Sequence, residues 1–405
     1  MKYLLFIGIL TYMFLSTSVA AKIGIKEVGT YSSLIIVFLF AVKFLGDSKH
    51  KLFAKFKEEF HIILAGFFLL FIKIFLGQSD QFNHIVFFLI VPMSLSILLG
   101  VQNISNKRVI RKLILFFFIA ECFLAIYERW SLTNLFPFVD EIDESAIVDW
   151  SFRSSGFLGH PLANALCIST IMGFVLTSQM SIFYKLFYLI LGFVSLLCFN
   201  ARAAILIWIL LGTIYLLNLI KDRKTKKTVS LLLVIFLVTM TYFIYSAMFN
   251  YGLGGRIAEG NIMDGSANTR LEVFDAFNYI NSSDLLFGNS LNYIPIMNKL
   301  GAGGVENSYI VLIIYYGIFI FTLLALLYYS LVKRFLKDYS LYFKFIILSS
   351  FLLVGSTNNG LVSAMPWGFL ILCFYTFPSM KKRNKRNKFN TIDKVIIKKE
   401  NYMSR

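Results

Sequence analysis

Apolar blocks separated by short polar or basic pieces run through most of this chain. A helix advances about 1.5 Å per residue, so crossing a hydrocarbon core about 30 Å thick takes about 20 mostly apolar residues. Blocks near that length fall at about 2–20, 30–46, 61–77, 82–101, 112–128, 161–179, 182–199, 203–220, 228–248, 307–331, 341–357 and 361–379. The pattern predicts an all-α polytopic integral membrane protein with about twelve transmembrane helices. Two intervals break the rhythm. Residues 129–160 carry Asp140, Glu141, Asp143, Glu144 and Asp149, and residues 249–306 form a large loop between spans nine and ten. Connections beyond about 15 residues are usually functional or unstructured. In the larger one, Asn268 to Ile280 reads as a helical stretch, flanked by the turn-rich Gly252-Leu-Gly-Gly255 and Gly301-Ala-Gly-Gly304.

Charge adds orientation. Only 15% of residues are charged, against about 25% in ordinary soluble domains. A net charge of +17 is of the kind nucleic-acid binders carry, but its positions argue otherwise. Much of the excess falls in Lys49–Lys57, Lys107–Lys112, Lys221–Lys227, Lys333–Lys337 and Lys381–Lys388, all beside apolar blocks. That is the positive-inside arrangement, with anionic lipid headgroups as the neighbours. Counting spans back from the basic tail puts every such segment, and both termini, in the cytoplasm. The expected organisation is N-terminal transmembrane helices over 1–128, an acidic extracytoplasmic loop over 129–160 and central transmembrane helices over 161–248. A large extracytoplasmic loop over 249–306, C-terminal transmembrane helices over 307–380 and a basic cytoplasmic tail over 381–405 follow. Ser18-Val-Ala-Ala21 looks like a signal-peptide cleavage site, but Lys2 alone makes a poor basic n-region, so the first block reads as a retained span.

Several chemistries find no support. The chain has no P-loop, GxGxxG or HExxH motif, and its four histidines, His50, His61, His84 and His160, are scattered, so neither a metal nor a cofactor is expected. Cys122, Cys167, Cys198 and Cys373 lie in apolar blocks and read as small buried hydrophobes. Ionisable residues inside the blocks are scarce; the main ones are Lys43 and Lys73, which can snorkel, and Glu121. That scarcity argues against an ion-coupled transporter.

The candidate chemistry sits at the ends of blocks on the outer face. In Arg153-Ser-Ser-Gly-Phe-Leu-Gly-His160-Pro161-Leu-Ala-Asn164, Pro161 suits a first helical turn. His160 then stands beside Arg153 at a positive helix end, a setting that suits an anion. Arg202 occupies the short turn Phe199-Asn-Ala-Arg-Ala203, where an arginine at a membrane edge either snorkels or holds an anion. Arg256 and Arg270 lie in the large loop. Arginine forks grip phosphate oxygens two at a time, so Arg153, Arg202, Arg256 and Arg270 on one face would suit a diphosphate. Glu306, in Glu306-Asn-Ser-Tyr309, is a candidate general base, with His160 as the other. Asn164 and Asn307 are candidate substrate contacts, and Thr357-Asn-Asn-Gly360 reads as a simple turn.

These residues, in this order, resemble the O-antigen polymerase and O-antigen ligase superfamily, the Wzy-type bacterial polysaccharide polymerases. The likeness covers roughly 150–330 and rests on Arg153-Ser-Ser-Gly-Phe-Leu-Gly-His160-Pro161, Asn200-Ala-Arg202-Ala-Ala204, Arg270 followed by Leu286-Phe-Gly-Asn289, and Glu306-Asn307-Ser-Tyr309 leading to Tyr316-Gly317. The resemblance implies a metal-independent glycosyltransferase in the bacterial cytoplasmic membrane. It would polymerise undecaprenyl-diphosphate-linked oligosaccharide units into O-antigen, capsule or exopolysaccharide. The partners implied are that lipid-linked oligosaccharide, membrane lipids, and the pathway's chain-length regulator and flippase proteins. Ligases of the superfamily use a histidine near the end of the large loop. This chain has Glu306 there and no histidine after His160, which favours polymerase over ligase. Ligase-type transfer and transport of the lipid-linked unit are the alternatives.

Overall fold

The computed structural model describes residues 2–46, 49–78, 81–137, 152–221, 272–300, 305, 307–357, 359–362 and 364–377, with isolated positions between 227 and 246. Every regular element among them is helical. In chain order these are α1 (Lys2–Phe14), α2 (Thr17–Lys22), α3 (Lys26–Tyr31), α4 (Leu34–Gly46), α5 (Lys49–Lys55) and α6 (Lys57–Phe75). Then come α7 (Phe82–Gly100), α8 (Ile104–Ser131), α9 (Pro161–Thr177), α10 (Ile182–Cys198) and α11 (Arg202–Lys221). A 3-10 turn (Val273–Tyr279) precedes α12 (Ser282–Phe287), α13 (Tyr293–Leu300), α14 (Ser308–Phe335), α15 (Leu341–Ser356) and α16 (Ala364–Thr376). By length and composition α7, α11 and α14 are able to cross a membrane, and α4, α9, α10 and α15 are shorter apolar helices.

Helix α9 is the axis of the packing. All of its residues except Leu162 and Ala163 are buried, and α8, α10, α11, α15 and α16 surround it. A helix with little difference between its faces belongs in an interior, which is where the fold puts it. Gly173 lets a π-helical turn of α15 approach, since a Cβ there would strike the Ser350 hydroxyl.

The bundle has two distinct ends. At one, Arg334 of α14 pairs with Glu58 at 2.8 Å and with Glu59, both at the start of α6. Lys55 reaches the Gly100 carbonyl at the end of α7, and Lys107 lies over the Tyr375 ring. The segments that hold Lys55, Lys107 and Arg334 therefore share this end. The starts of α9, α11 and α14 and the close of α15 lie at the other. Helix α11 finishes at the basic end while α14 begins at the opposite one. The apolar block expected at 228–248 falls in the sequence between them, largely outside the described residues.

Three expectations need correction. The first block is two helices rather than one span. The Ser16 hydroxyl accepts from the Val19 amide at 3.2 Å, capping α2, and donates to the Phe157 carbonyl. The helical stretch read over Asn268 to Ile280 is, where described, a short 3-10 turn. Lys73 does not snorkel; it is 2% exposed. Its Nζ donates to Gln78 Oε1 (2.8 Å), Gly288 O (3.0 Å) and Tyr315 O (3.1 Å). The cause is a break in α14 at Gly317, whose φ of +72° interrupts the helical ladder. Carbonyls on the approach to the break find new donors: Asn289 N for Ile314 O at 2.9 Å, and Lys73 with Gln81 for Tyr315 O. Irregular backbone in a membrane bundle is tolerated where protein groups satisfy it in this way.

Candidate functional site

The site is built on the loop before α9. Six consecutive backbone N–H groups, Ser154 to Gly159, each have an acceptor. Ser154 N donates to Cys198 O, and Ser155 N to Asn134 Oδ1 at 3.0 Å. Gly156 N donates to Glu128 Oε2 at 2.9 Å, and Phe157 N to Glu121 Oε2 at 3.0 Å. Leu158 N donates to Asn164 Oδ1, and Gly159 N to Gly156 O. Glu121 and Glu128 are fully buried and lie seven residues apart on one face of α8. They act as a mould for the loop. Gly156 has φ +58°, and a Cβ there would collide with Glu121 Oε1, which explains the glycine in Ser154-Ser-Gly156.

The mould delivers Arg153 to the junction of α10 and α11, where its Nε donates to Phe199 O at 3.4 Å. The junction turns at Asn200, which holds φ +51°, a conformation asparagine accepts more readily than most residues. Arg202 then opens α11. An open pocket of about 340 Å³, its solvent-filled mouth included, lies between Arg153, Leu162, Ala165, Asn200, Ala201, Arg202, Ala203, Ala204, Val354 and Thr357. Two guanidinium groups thus share one pocket with the positive start of α11, and among the described residues its lining holds no carboxylate. Ala203 and Ala204 leave that helix start uncovered by bulk. Such a constellation suits a phosphate-bearing anion.

The other expected site residues fall as follows. His160 N-caps α9 through its backbone, makes no side-chain cap bond, and is not among the pocket's lining residues. Asn164 is wholly buried. It holds the loop, with Oδ1 toward Leu158 N and Nδ2 donating to Ser155 O, so its amide serves the scaffold rather than the pocket surface. Asn307 caps α14, its Oδ1 accepting from Tyr309 N at 3.0 Å and Ile310 N at 3.3 Å. Arg256, Arg270 and Glu306 lie outside the described residues.

The turn at 357–360 is more than a turn. Thr357 lines the pocket, and the segment is tied to the start of α14 by Ser308, which donates to Gly355 O (3.0 Å) and accepts from Leu361 N (3.1 Å). The pairing of that turn with Ser308 carries no motif. The Glu121–Glu128 mould does have a signal, a seven-residue repeat of acids on one face of an otherwise apolar block. No family model, no curated protein and no solved structure matches this chain.

Proposed function

We propose that this chain is a polysaccharide polymerase of the O-antigen polymerase type, joining undecaprenyl-diphosphate-linked oligosaccharide units at the outer face of the bacterial cytoplasmic membrane. The observation that carries the reading is the meeting of Arg153 and Arg202, from separate motifs, in one pocket at the end of the bundle away from Lys55, Lys107 and Arg334. The bond from the anomeric carbon to the carrier's diphosphate oxygen breaks. The acceptor hydroxyl oxygen takes that carbon, and a base takes its proton. Arginine forks aimed at the diphosphate stabilise the charge that grows on it as it leaves. Glu306 is the base in this scheme, with His160 as an anion-binding donor. Support comes from Ser308, two residues beyond Glu306, which is bound to the same turn that supplies Thr357 to the pocket. Twelve spans, both termini inside and 249–306 outside belong to the same proposal.

Transport of the lipid-linked unit would call for a polar route between helices. A second pocket, toward the Arg334 end, is lined among the described residues by apolar side chains, among them Phe174, Val332, Phe351, Trp367 and Phe374, and so offers no such polar route.

The test keeps charge and removes the fork. Arg153→Lys and Arg202→Lys each lose a charge-assisted contact of about 1.5–3 kcal/mol, or roughly ten- to a hundredfold in rate if it is made in the transition state. Each variant should show that loss of polymer at normal protein level. Polymer of full length and amount in both would sink the proposal.

A further inference from the structure

Helix α14 serves as a ruler. Arg334, bound to Glu58 and Glu59, marks the basic end. From there to the break at Gly317 is seventeen residues, roughly 25 Å at 1.5 Å per residue. On α6, Lys73 stands fourteen residues beyond Glu59, about 21 Å. A hydrocarbon core about 30 Å thick therefore ends close to the level of Gly317 and Lys73. Gly288 lies at that level too. Its carbonyl accepts from Lys73, and its backbone packs so closely on Gly317 that a Cβ on either glycine would strike the other's backbone. Helices α12 and α13 flank Gly288, so they sit at the far edge of the core rather than in the water beyond it.

Their exposed residues follow a matching order. Ser282 and Ser283 are exposed at the start of α12. Then come Leu286 (50%), Phe287 (62%), Leu291 (59%) and Ile294 (66%), large apolar groups open to the surroundings. Asn298 and Lys299 are exposed and polar again, and the Lys299 ammonium lies 5.1 Å from the Tyr279 ring centre. Polar, apolar, polar is the order of a chain that dips into an apolar medium and leaves it, with a lysine and a tyrosine at the level where such residues collect. The apolar face continues onto α6, where Phe71, Ile74 and Phe75 are exposed at the end that carries Lys73.

We propose that residues 282–299 are seated in the edge of the bilayer, with Leu286, Phe287, Leu291 and Ile294 in the acyl region and lipid as their occupant. Apolar side chains presented at this depth bind a membrane surface in proportion to the area they bury there. The segment was expected in the aqueous loop 249–306, and this seating relocates it without depending on the enzymatic reading.

Spin labelling tests the seating in the full chain. The four native cysteines are buried, so single cysteines at exposed positions can be labelled selectively. Nitroxides placed at 283, 287, 291, 294 and 298 would be read in vesicles of phosphatidylethanolamine and phosphatidylglycerol. Oxygen, which concentrates among acyl chains, and a nickel chelate, which stays in water, serve as collision probes. Oxygen collisions should exceed nickel collisions at 287, 291 and 294, and the ratio should invert at 283 and 298. Nickel exceeding oxygen at 287 and 291 would put the face in water and overturn the proposal. Low collision with both probes at 287, 291 and 294 would mean protein covers them, and would overturn it equally.

Discussion

Arg153 and Arg202 reach one pocket by different routes, the first on a moulded loop and the second as the opening residue of a helix. Both were legible in the sequence because a cation at the edge of an apolar block needs a reason to be there. Asn164 was legible as important and not for what it does. An asparagine near a helix start looks the same whether it faces a ligand or a loop, and its full burial decides the matter. Thr357 was not legible, because what makes it part of the pocket is a contact made by Ser308, about fifty positions away. The choice between the two candidate bases also belongs at this scale. Glu306→Gln removes the proton acceptor and keeps the shape, so it should abolish polymer while unpolymerised units accumulate. His160→Gln keeps a donor and should retain activity. A polymer ladder in the first variant and none in the second would reverse the roles.

Among elements, α14 teaches most about what a hydropathy pattern can carry. Its length was readable, and so was Gly317, but glycines are common in apolar helices. What turns this one into a break is Gly288, from another element, pressing against it. The reordering draws in Lys73, which donates to Gly288 O and Tyr315 O. Leaving such buried acceptors without a donor costs about 1–3 kcal/mol each. Lys73→Met should therefore lower the thermal midpoint of the detergent-solubilised protein clearly. Lys43→Met, at a half-buried position on α4, should lower it little. Equal, small shifts in the two variants would mean that the Lys73 bonds do not hold the break. The interruption of α1 and α2 at Ser16 is of the same kind: its hydroxyl answers Phe157, a partner no local window contains.

At the scale of the whole molecule, the spacing of basic segments was the most informative pattern, because lysines and arginines at helix ends report which end they occupy. The contacts of Lys55, Lys107 and Arg334 place these three at one end of the bundle. The orientation proposed for that bundle has a direct check. Asn359 is exposed beside the pocket turn, and Lys337 is exposed near the basic end. In whole cells a membrane-impermeant thiol reagent should modify Asn359→Cys and reach Lys337→Cys only after permeabilisation. The opposite outcome would turn the molecule over and place the arginine pocket inside.

The acids of α8 carry a consequence for how the protein is made. Glu121 and Glu128 lie in a helix that emerges from the ribosome before any of the donors that receive them, which come from Leu135, Ser155, Gly156 and Phe157. A charged side chain at the middle of a segment facing the translocon is costly, about 2.5–3.5 kcal/mol on insertion scales, and Glu121 is the acid well inside the apolar stretch of α8. Helix α8 is thus a poor passenger on its own, and Glu121 gains its Phe157 donor only once the chain has been synthesised through the loop before α9. Biogenesis of this region should therefore be a two-helix event. A reporter fused at residue 131 reads a segment still waiting for its ligands, whereas one fused after residue 177 reads the completed hairpin.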